Sequence, residues 1–110
     1  VLLENRVAIV SGAGAGLGRA ICRRFAAEGA KIVVGDLEAE AVEATVAAVI
    51  AEGGQAVGKV TDITDRAMCE ELVHLALDTY GAVHTLINDA YEGGDYQRFD
   101  DADLASWKAT

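Results

Sequence analysis

Short apolar runs and longer amphipathic stretches alternate along this chain. Val7-Ala8-Ile9-Val10 is wholly apolar and leads into a glycine cluster. A run of that kind suits a strand buried on both faces, as in a parallel sheet. From Leu17 the period lengthens. Leu17, Ile21 and Phe25 recur every fourth residue, with Arg19, Arg23 and Arg24 on other faces. This pattern predicts an amphipathic helix that stops near Gly29. Ile32-Val33-Val34 predicts a second buried strand, ending at Gly35-Asp36. A second helix is expected from Glu38 to Glu52, with Val42, Val46, Val49 and Ile50 as its stripe and Gly53-Gly54 closing it. Ala56 to Val60 reads as a third, weaker strand. Asp65 to Tyr80 reads as a third helix, with Met68, Leu72, Leu75, Ala76 and Thr79 on one face and Gly81 at its end. Val83 to Ile87 reads as a fourth strand. Glu92 to Asp100 is polar and reads as loop, and Ala102 begins what reads as a further helix.

Strands and helices taken in turn, joined by short connections, call for parallel strands with right-handed crossovers and helices on both faces. The expected fold is therefore α/β: a doubly wound parallel sheet of about four strands in the order 3-2-1-4, with its second half incomplete. No repeat, linker or low-complexity tract divides residues 1–110, so they are expected to form part of one domain. The fourth strand would sit at an apolar edge. Such an edge invites pairing with another chain, so self-association through it is expected.

Composition narrows the classes of function. Hydrophobic residues make up 52% of the chain and charged residues 25%, a balance typical of a soluble globular domain. No apolar run approaches the ~20 residues of a membrane helix, and the start, Val1-Leu2-Leu3-Glu4-Asn5-Arg6, is too mixed for a signal peptide. Cys22 and Cys69 lie far apart with no CxxC spacing, and reduced thiols in a cytoplasmic protein are the expectation. His74 and His84 share no ligand spacing with them, so no metal site is expected. The net charge of −9 argues against a nucleic-acid partner, because phosphate backbones would be repelled.

The strongest local signal is Ser11-Gly12-Ala13-Gly14-Ala15-Gly16-Leu17-Gly18, which follows a strand and opens a helix. A tight strand-to-helix turn needs backbone angles that glycine tolerates cheaply. A missing Cβ lets a pyrophosphate approach the backbone, and the helix offers it free N–H groups and a positive dipole end. The loop does not satisfy GxGxxG, since Leu17 occupies the last position. It satisfies GxxxGxG through Gly12, Gly16 and Gly18, and also GxGxG through Gly12, Gly14 and Gly16. The second spacing resembles nucleoside-binding methyltransferases, which share this architecture, so both readings stand at this point. Asp36 lies at the end of the second strand, where a carboxylate can accept hydrogen bonds from both ribose hydroxyls of an adenosine. It would repel a 2′-phosphate, which favours NAD over NADP. The other reading of Asp36 is a cap for the helix that follows.

With these residues in hand, the chain resembles the short-chain dehydrogenase/reductase family. Ser11-Gly12-xxx-Gly16-x-Gly18 is similar to the family's TGxxxGxG, with serine for threonine. Asp62-Ile63 looks like the Asp–hydrophobic pair at the adenine ring, and Leu86-Ile87-Asn88-Asp89-Ala90 looks like the NNAG block of the fourth strand. Trp107 also falls where the family often has a tryptophan. The resemblance implies a Rossmann-type fold, residues 1–110 forming the N-terminal part of an NAD(P)-binding domain. It implies that Gly12 and Gly16 admit the cofactor, that the Leu17 N–H faces the pyrophosphate, and that Gly18 lets the first helix pack on the sheet. Asp36 would hold the ribose and Leu37 flank the adenine. Asp62 would meet the adenine amino group, with Ile63 adding its backbone, while Asn88 and Ala90 would line the middle of the cleft. Taken singly, Asp62 also reads as a cap or turn aspartate and Asn88 as a strand-end turn residue.

The resemblance further implies a parent enzyme moving a hydride between the nicotinamide and an alcohol or carbonyl. Departures from the family pattern are equally visible. Asp89 replaces the second asparagine of NNAG and Tyr91 its glycine. The family's catalytic asparagine, serine and YxxxK have no counterpart. Tyr80, Tyr91 and Tyr96 are followed four residues later by His84, Asp95 and Asp100 rather than lysine. No catalytic residue is therefore assigned, and the expectation is a truncated, NAD-binding portion that is inactive alone. A stand-alone nucleotide-binding module is the alternative, with a methyltransferase fragment behind it.

Overall fold

The structure, a computed structural model, describes residues 2–12 and 16–88. Its elements are β1 (Val7–Ser11), α1 (Gly16–Ala27), β2 (Lys31–Asp36), α2 (Ala39–Ala51), β3 (Gln55–Val60), α3 (Arg66–Tyr80) and β4 (Thr85–Asn88). The strands form one parallel sheet in the order β3-β2-β1-β4, the order expected of the doubly wound plan. The loop and further helix expected after Glu92 lie outside the described residues.

The continuous apolar runs occupy the centre of the sheet because both of its faces are covered. β1 is buried along its whole length, and Ile32 to Gly35 of β2 are buried beside it. Alternate side chains feed two cores. Ala8, Val10, Ile32, Val34 and Ala56 pack with Cys22 of α1 and with Val42 and Val49 of α2. Val7, Ile9 and Val33 pack with Leu72 and Ala76 of α3 on the opposite face. Each fully buried valine or isoleucine contributes roughly 1.5–3 kcal/mol of hydrophobic stabilisation.

Two glycines inside strands let the helices approach. A Cβ on Gly58 would collide with Val42 and Val46 of α2. A Cβ on Gly35 would lie 2.7 Å from Leu72 Cδ2 of α3. The helix termini are closed by different means. Asp65 caps α3 by accepting the Met68 N–H, and Gly81, at φ 79°, closes its other end with an N–H to Leu77 O. Glu38 stands at the N-cap of α2 without a side-chain capping bond.

Three stripe residues are not where periodicity puts them. Leu17 is 66% exposed, because α1 turns Gly18 and Cys22 inward. Leu17 precedes Cys22 by five residues, which sets it roughly 140° off the buried line. Ile50 is 55% exposed at the margin of the α2 stripe, whose buried line runs through Val42, Thr45 and Val49. Thr79 is exposed in the last turn of α3, and Tyr80 packs against the core in its place. Among the described residues, no helix is long and apolar enough to cross a membrane.

Candidate functional site

Parallel strands bring all their carboxyl ends to one edge of the sheet. At that edge Ser11 of β1 is paired with Gly35 of β2 on one side and with Asn88 of β4 on the other, while Asp36 is paired with Val60 of β3. The chain runs outward from β1 through β2 to β3 and then returns past β1 to β4. Successive connections therefore diverge between β1 and β4, with α1 on one face and α3 on the other. In open α/β sheets a crevice opens at such a switch point.

Gly12 and Gly16, which flank the glycine loop, lie at the middle of this edge. Gly12 has φ 75° and donates its N–H to Gly35 O at 2.8 Å, extending the β1–β2 ladder by one residue. Gly16 has φ 57°, and a Cβ built on it meets no atom of the described residues within 4 Å. Both angles lie in the left-handed region that favours glycine. Gly18 is buried, whereas Leu17 beside it is exposed. The first turn of α1 carries no acidic side chain, so its positive dipole end is not neutralised from within the helix.

On the β2 side, the Asp36 carboxylate accepts the Leu37 N–H at 2.6 Å. The N-cap of α2 is Glu38, so Asp36 does not cap that helix. Leu37 is exposed next to it. Thr61 N–H donates to Asp36 O at 2.7 Å, which holds the Asp62-Ile63 segment against the Asp36 turn. Asp62 does serve as a turn residue: its Oδ1 accepts the Thr64 hydroxyl at 2.6 Å and the Thr64 N–H at 2.9 Å. The hydroxyl first and the N–H second hold the Asp62 carboxyl below its ordinary pKa. The Cys69 thiol, on the first turn of α3, lies 3.5 Å from Ile63 O and 3.9 Å from Asp62 O.

On the β4 side, Asn88 Oδ1 accepts the buried Ser11 hydroxyl at 2.9 Å, tying the ends of β1 and β4 together across the switch point. Asn88 is thus a strand-end residue whose side chain is committed to the sheet. Ala90, Asp89 and Tyr91 lie outside the described residues. The structure brings Gly12, Gly16, Leu17, Gly18, Asp36, Leu37, Asp62, Ile63 and Asn88 to one end of one sheet. A separate cleft lined by Glu4, Lys31, Gly54 and Gln55 opens at the amino ends of the strands, away from the crevice.

Several residues that support the sheet and this edge carry no motif. Ser11 was visible only as part of the glycine pattern; its burial beside a fully apolar strand is the signal of its bond to Asn88. Arg19 Nε donates to Thr45 Oγ1 at 3.0 Å, joining α1 to α2 at a threonine that is completely buried. His84 Nδ1 accepts the Val7 N–H, and the His84 N–H donates to Val7 O, both at 2.9 Å. That imidazole continues the β1–β4 ladder with a side chain, a role that spacing alone does not show.

Residues 6–110 match the short chain dehydrogenase family. The chain belongs to that family. This membership selects the GxxxGxG reading of the glycine loop over the methyltransferase spacing. Among curated relatives, the (2S)-[(R)-hydroxy(phenyl)methyl]succinyl-CoA dehydrogenase subunit of Thauera aromatica is 38% identical over 88 residues, covering 80% of this chain and 36% of that protein. Among solved structures, a hydroxysteroid dehydrogenase from Escherichia coli superposes with a TM-score of 0.81 at 38% identity, over 94% of this chain and 43% of that one. A short chain dehydrogenase/reductase from Burkholderia phymatum, solved in complex with NAD, gives 0.75 at 35% identity over 78% of this chain and 31% of that one. The chain spans less than half the length of these relatives, and what it matches is the NAD(P)-binding region of the short-chain dehydrogenases.

Proposed function

We propose that this chain binds NAD at the carboxyl edge of its sheet, as the cofactor-holding portion of a short-chain dehydrogenase. The observation that carries the proposal is the position of Asp36. It ends β2 beside the glycine turn, to which it is coupled by the Gly12–Gly35 hydrogen bond, and its carboxylate is partly exposed. A carboxylate there accepts hydrogen bonds from a ribose diol and repels a 2′-phosphate, which favours NAD over NADP.

The glycine positions suit the group. Open space around the site of a Gly16 Cβ leaves the backbone approachable, and Gly12 and Gly16 hold the turn that exposes it. In this reading the Leu17 N–H serves the pyrophosphate and buried Gly18 seats α1 on the sheet. Leu37 and Ile63 flank the adenine, Asp62 meets its amino group, and Asn88 with Ala90 lines the middle of the cleft. A bound nicotinamide would supply the hydride acceptor or donor for an alcohol–carbonyl interconversion in the whole enzyme. No residue of this chain is assigned to that chemistry, so the chain alone is expected to bind without turnover. Free Cys22 and Cys69 suit a reducing, cytoplasmic setting. The exposed Leu86 on β4 suits self-association through that edge, which sedimentation would test.

Titration calorimetry on the chain with NAD, NADP and S-adenosylmethionine tests the reading. NAD should bind more tightly than NADP, and S-adenosylmethionine should not compete. Asp36→Ala should weaken NAD roughly tenfold to a hundredfold, the worth of charge-assisted hydrogen bonds, and narrow the gap to NADP. No heat from NAD with a well-folded sample, or an unchanged preference in the variant, would defeat it.

A further inference from the structure

We propose that Arg19 and Thr45 are positioning residues that fix the distance between the two halves of the dinucleotide site. This rests on the reading of NAD binding above and extends it to residues outside the motif. The glycine turn leads directly into α1, and the Asp36-Leu37 turn leads directly into α2. The Gly12–Gly35 bond holds the two turns together where they leave the sheet, and beyond it their separation follows the packing of α1 against α2, two helices that share one face of the sheet.

That packing has a buried polar tie near the start of α1, besides the exposed ion pair of Arg23 with Glu52 at the end of α2. Arg19 sits in the first turn of α1, half-buried, and its Nε donates to Thr45 Oγ1 at 3.0 Å. Thr45 lies in the middle of α2 and is completely buried, between Val42 and Val49 on the core face. A cation in the first turn of a helix works against the helix dipole, so its place there needs a compensating contact. The hydroxyl of Thr45 supplies one. α2 has no side-chain cap at Glu38, and the Asp36 turn just before it is exposed at Leu37. With no side-chain cap at its start, α2 draws on ties to its neighbours, and the Arg19–Thr45 bond is directed at the helix that carries the glycine turn.

The consequence concerns ligands that span both turns. A dinucleotide behaves as two linked ligands, and the linkage strengthens binding only while the geometry lets both parts engage together. Adenosine, which needs the Asp36 side alone, gains nothing from a fixed separation. Loosening the α1–α2 tie should weaken NAD while sparing adenosine.

The test is calorimetric titration of NAD and of adenosine into the 110-residue chain and its variants. Thr45→Val keeps the shape and the Arg19 charge but removes the hydroxyl. It should weaken NAD about tenfold and adenosine less than about twofold. Thr45→Ser should restore NAD binding, and Arg19→Gln, altered at the half-exposed partner, should repeat the selective loss if Thr45→Val does not fold. Equal weakening of both ligands, unchanged NAD affinity, or failure of serine to rescue would overturn the proposal. Absence of NAD binding in the unaltered chain would instead defeat the NAD reading on which it rests.

Discussion

Replacing Gly16 by alanine separates what the glycine turn costs in folding from what it provides to a ligand. The backbone at Gly16 has φ 57°, and an added Cβ would meet no atom of the described residues within 4 Å. Steric overlap therefore contributes nothing to the folding cost. What is left is the strain of an L-residue in the left-handed region, about 1–2 kcal/mol. For a domain of this size each kcal/mol lowers Tm by roughly 4–8 °C. Thermal unfolding followed by circular dichroism should therefore show a Tm lowered by about 4–16 °C with the fold retained. Binding should suffer separately, because the new methyl group occupies the space that leaves the backbone open to a pyrophosphate. NAD affinity measured well below Tm should fall at least about tenfold, or 1.4 kcal/mol. A variant as stable as the parent would contradict the left-handed conformation. A destabilised variant that binds NAD as well as the parent would show that the space beside Gly16 is not where the cofactor lies.

Three further outcomes follow from the same edge and its supports. Ser11→Ala should lower stability by about 1 kcal/mol in urea denaturation, the usual worth of one hydrogen bond, whereas Ser11→Thr should keep the link to Asn88; equal stability of all three would show the bond to be idle. Asp62 has its pKa lowered by the Thr64 hydroxyl and N–H, so its stabilising effect is present above the unfolded value of about 3.9 and is lost as pH falls through the lower folded value. Asp62→Ala should accordingly flatten the stability profile below about pH 4, and an unaltered profile would count against the turn. Burial pushes the Cys22 thiol up to about 12, so iodoacetamide at pH 8 should label half-buried Cys69 and spare Cys22 until the chain unfolds. Equal labelling of both in the folded chain, followed by mass spectrometry, would refute the packing of α1.

The elements of the fold were legible because β1 and β2 carry unbroken apolar runs, the weaker β3 and β4 follow in alternation with them, and each helix has a dominant stripe. The strand order followed from the doubly wound plan that the alternation suggested. What stayed hidden is tertiary. Leu17 and Ile50 satisfy a four-residue spacing, yet the buried lines of their helices are set by what the sheet presents, and these admit Gly18 and Thr45 instead. Asp36 and Asp62 both read as binding or capping residues from position. Only coordinates reveal that Glu38 takes the cap and that Asp62 spends one oxygen on Thr64. Gly35 and Gly58 look like ordinary strand glycines until Leu72, Val42 and Val46 are seen pressing on them. The candidate site itself was readable in the glycine spacing, in Asp36 and in the resemblance. Its scaffolding, through Ser11, Arg19, Thr45 and His84, was not, since each acts on a partner at least 26 residues distant in sequence.

β4 has only four residues and joins β1 across 77 positions of chain. Loop closure of that span is slow and brings little ladder in return. The side chains at its two ends change the outcome. His84 grips Val7 at the start of the pairing and Asn88 takes the Ser11 hydroxyl at its finish, so alignment is fixed twice over. A shift by a single residue would forfeit both grips and swing Ile87 away from the face it shares with Val10 and Ala8. The strand that completes the crevice is thereby held to one alignment by polar clamps at its ends, despite being too brief to choose it through backbone pairing.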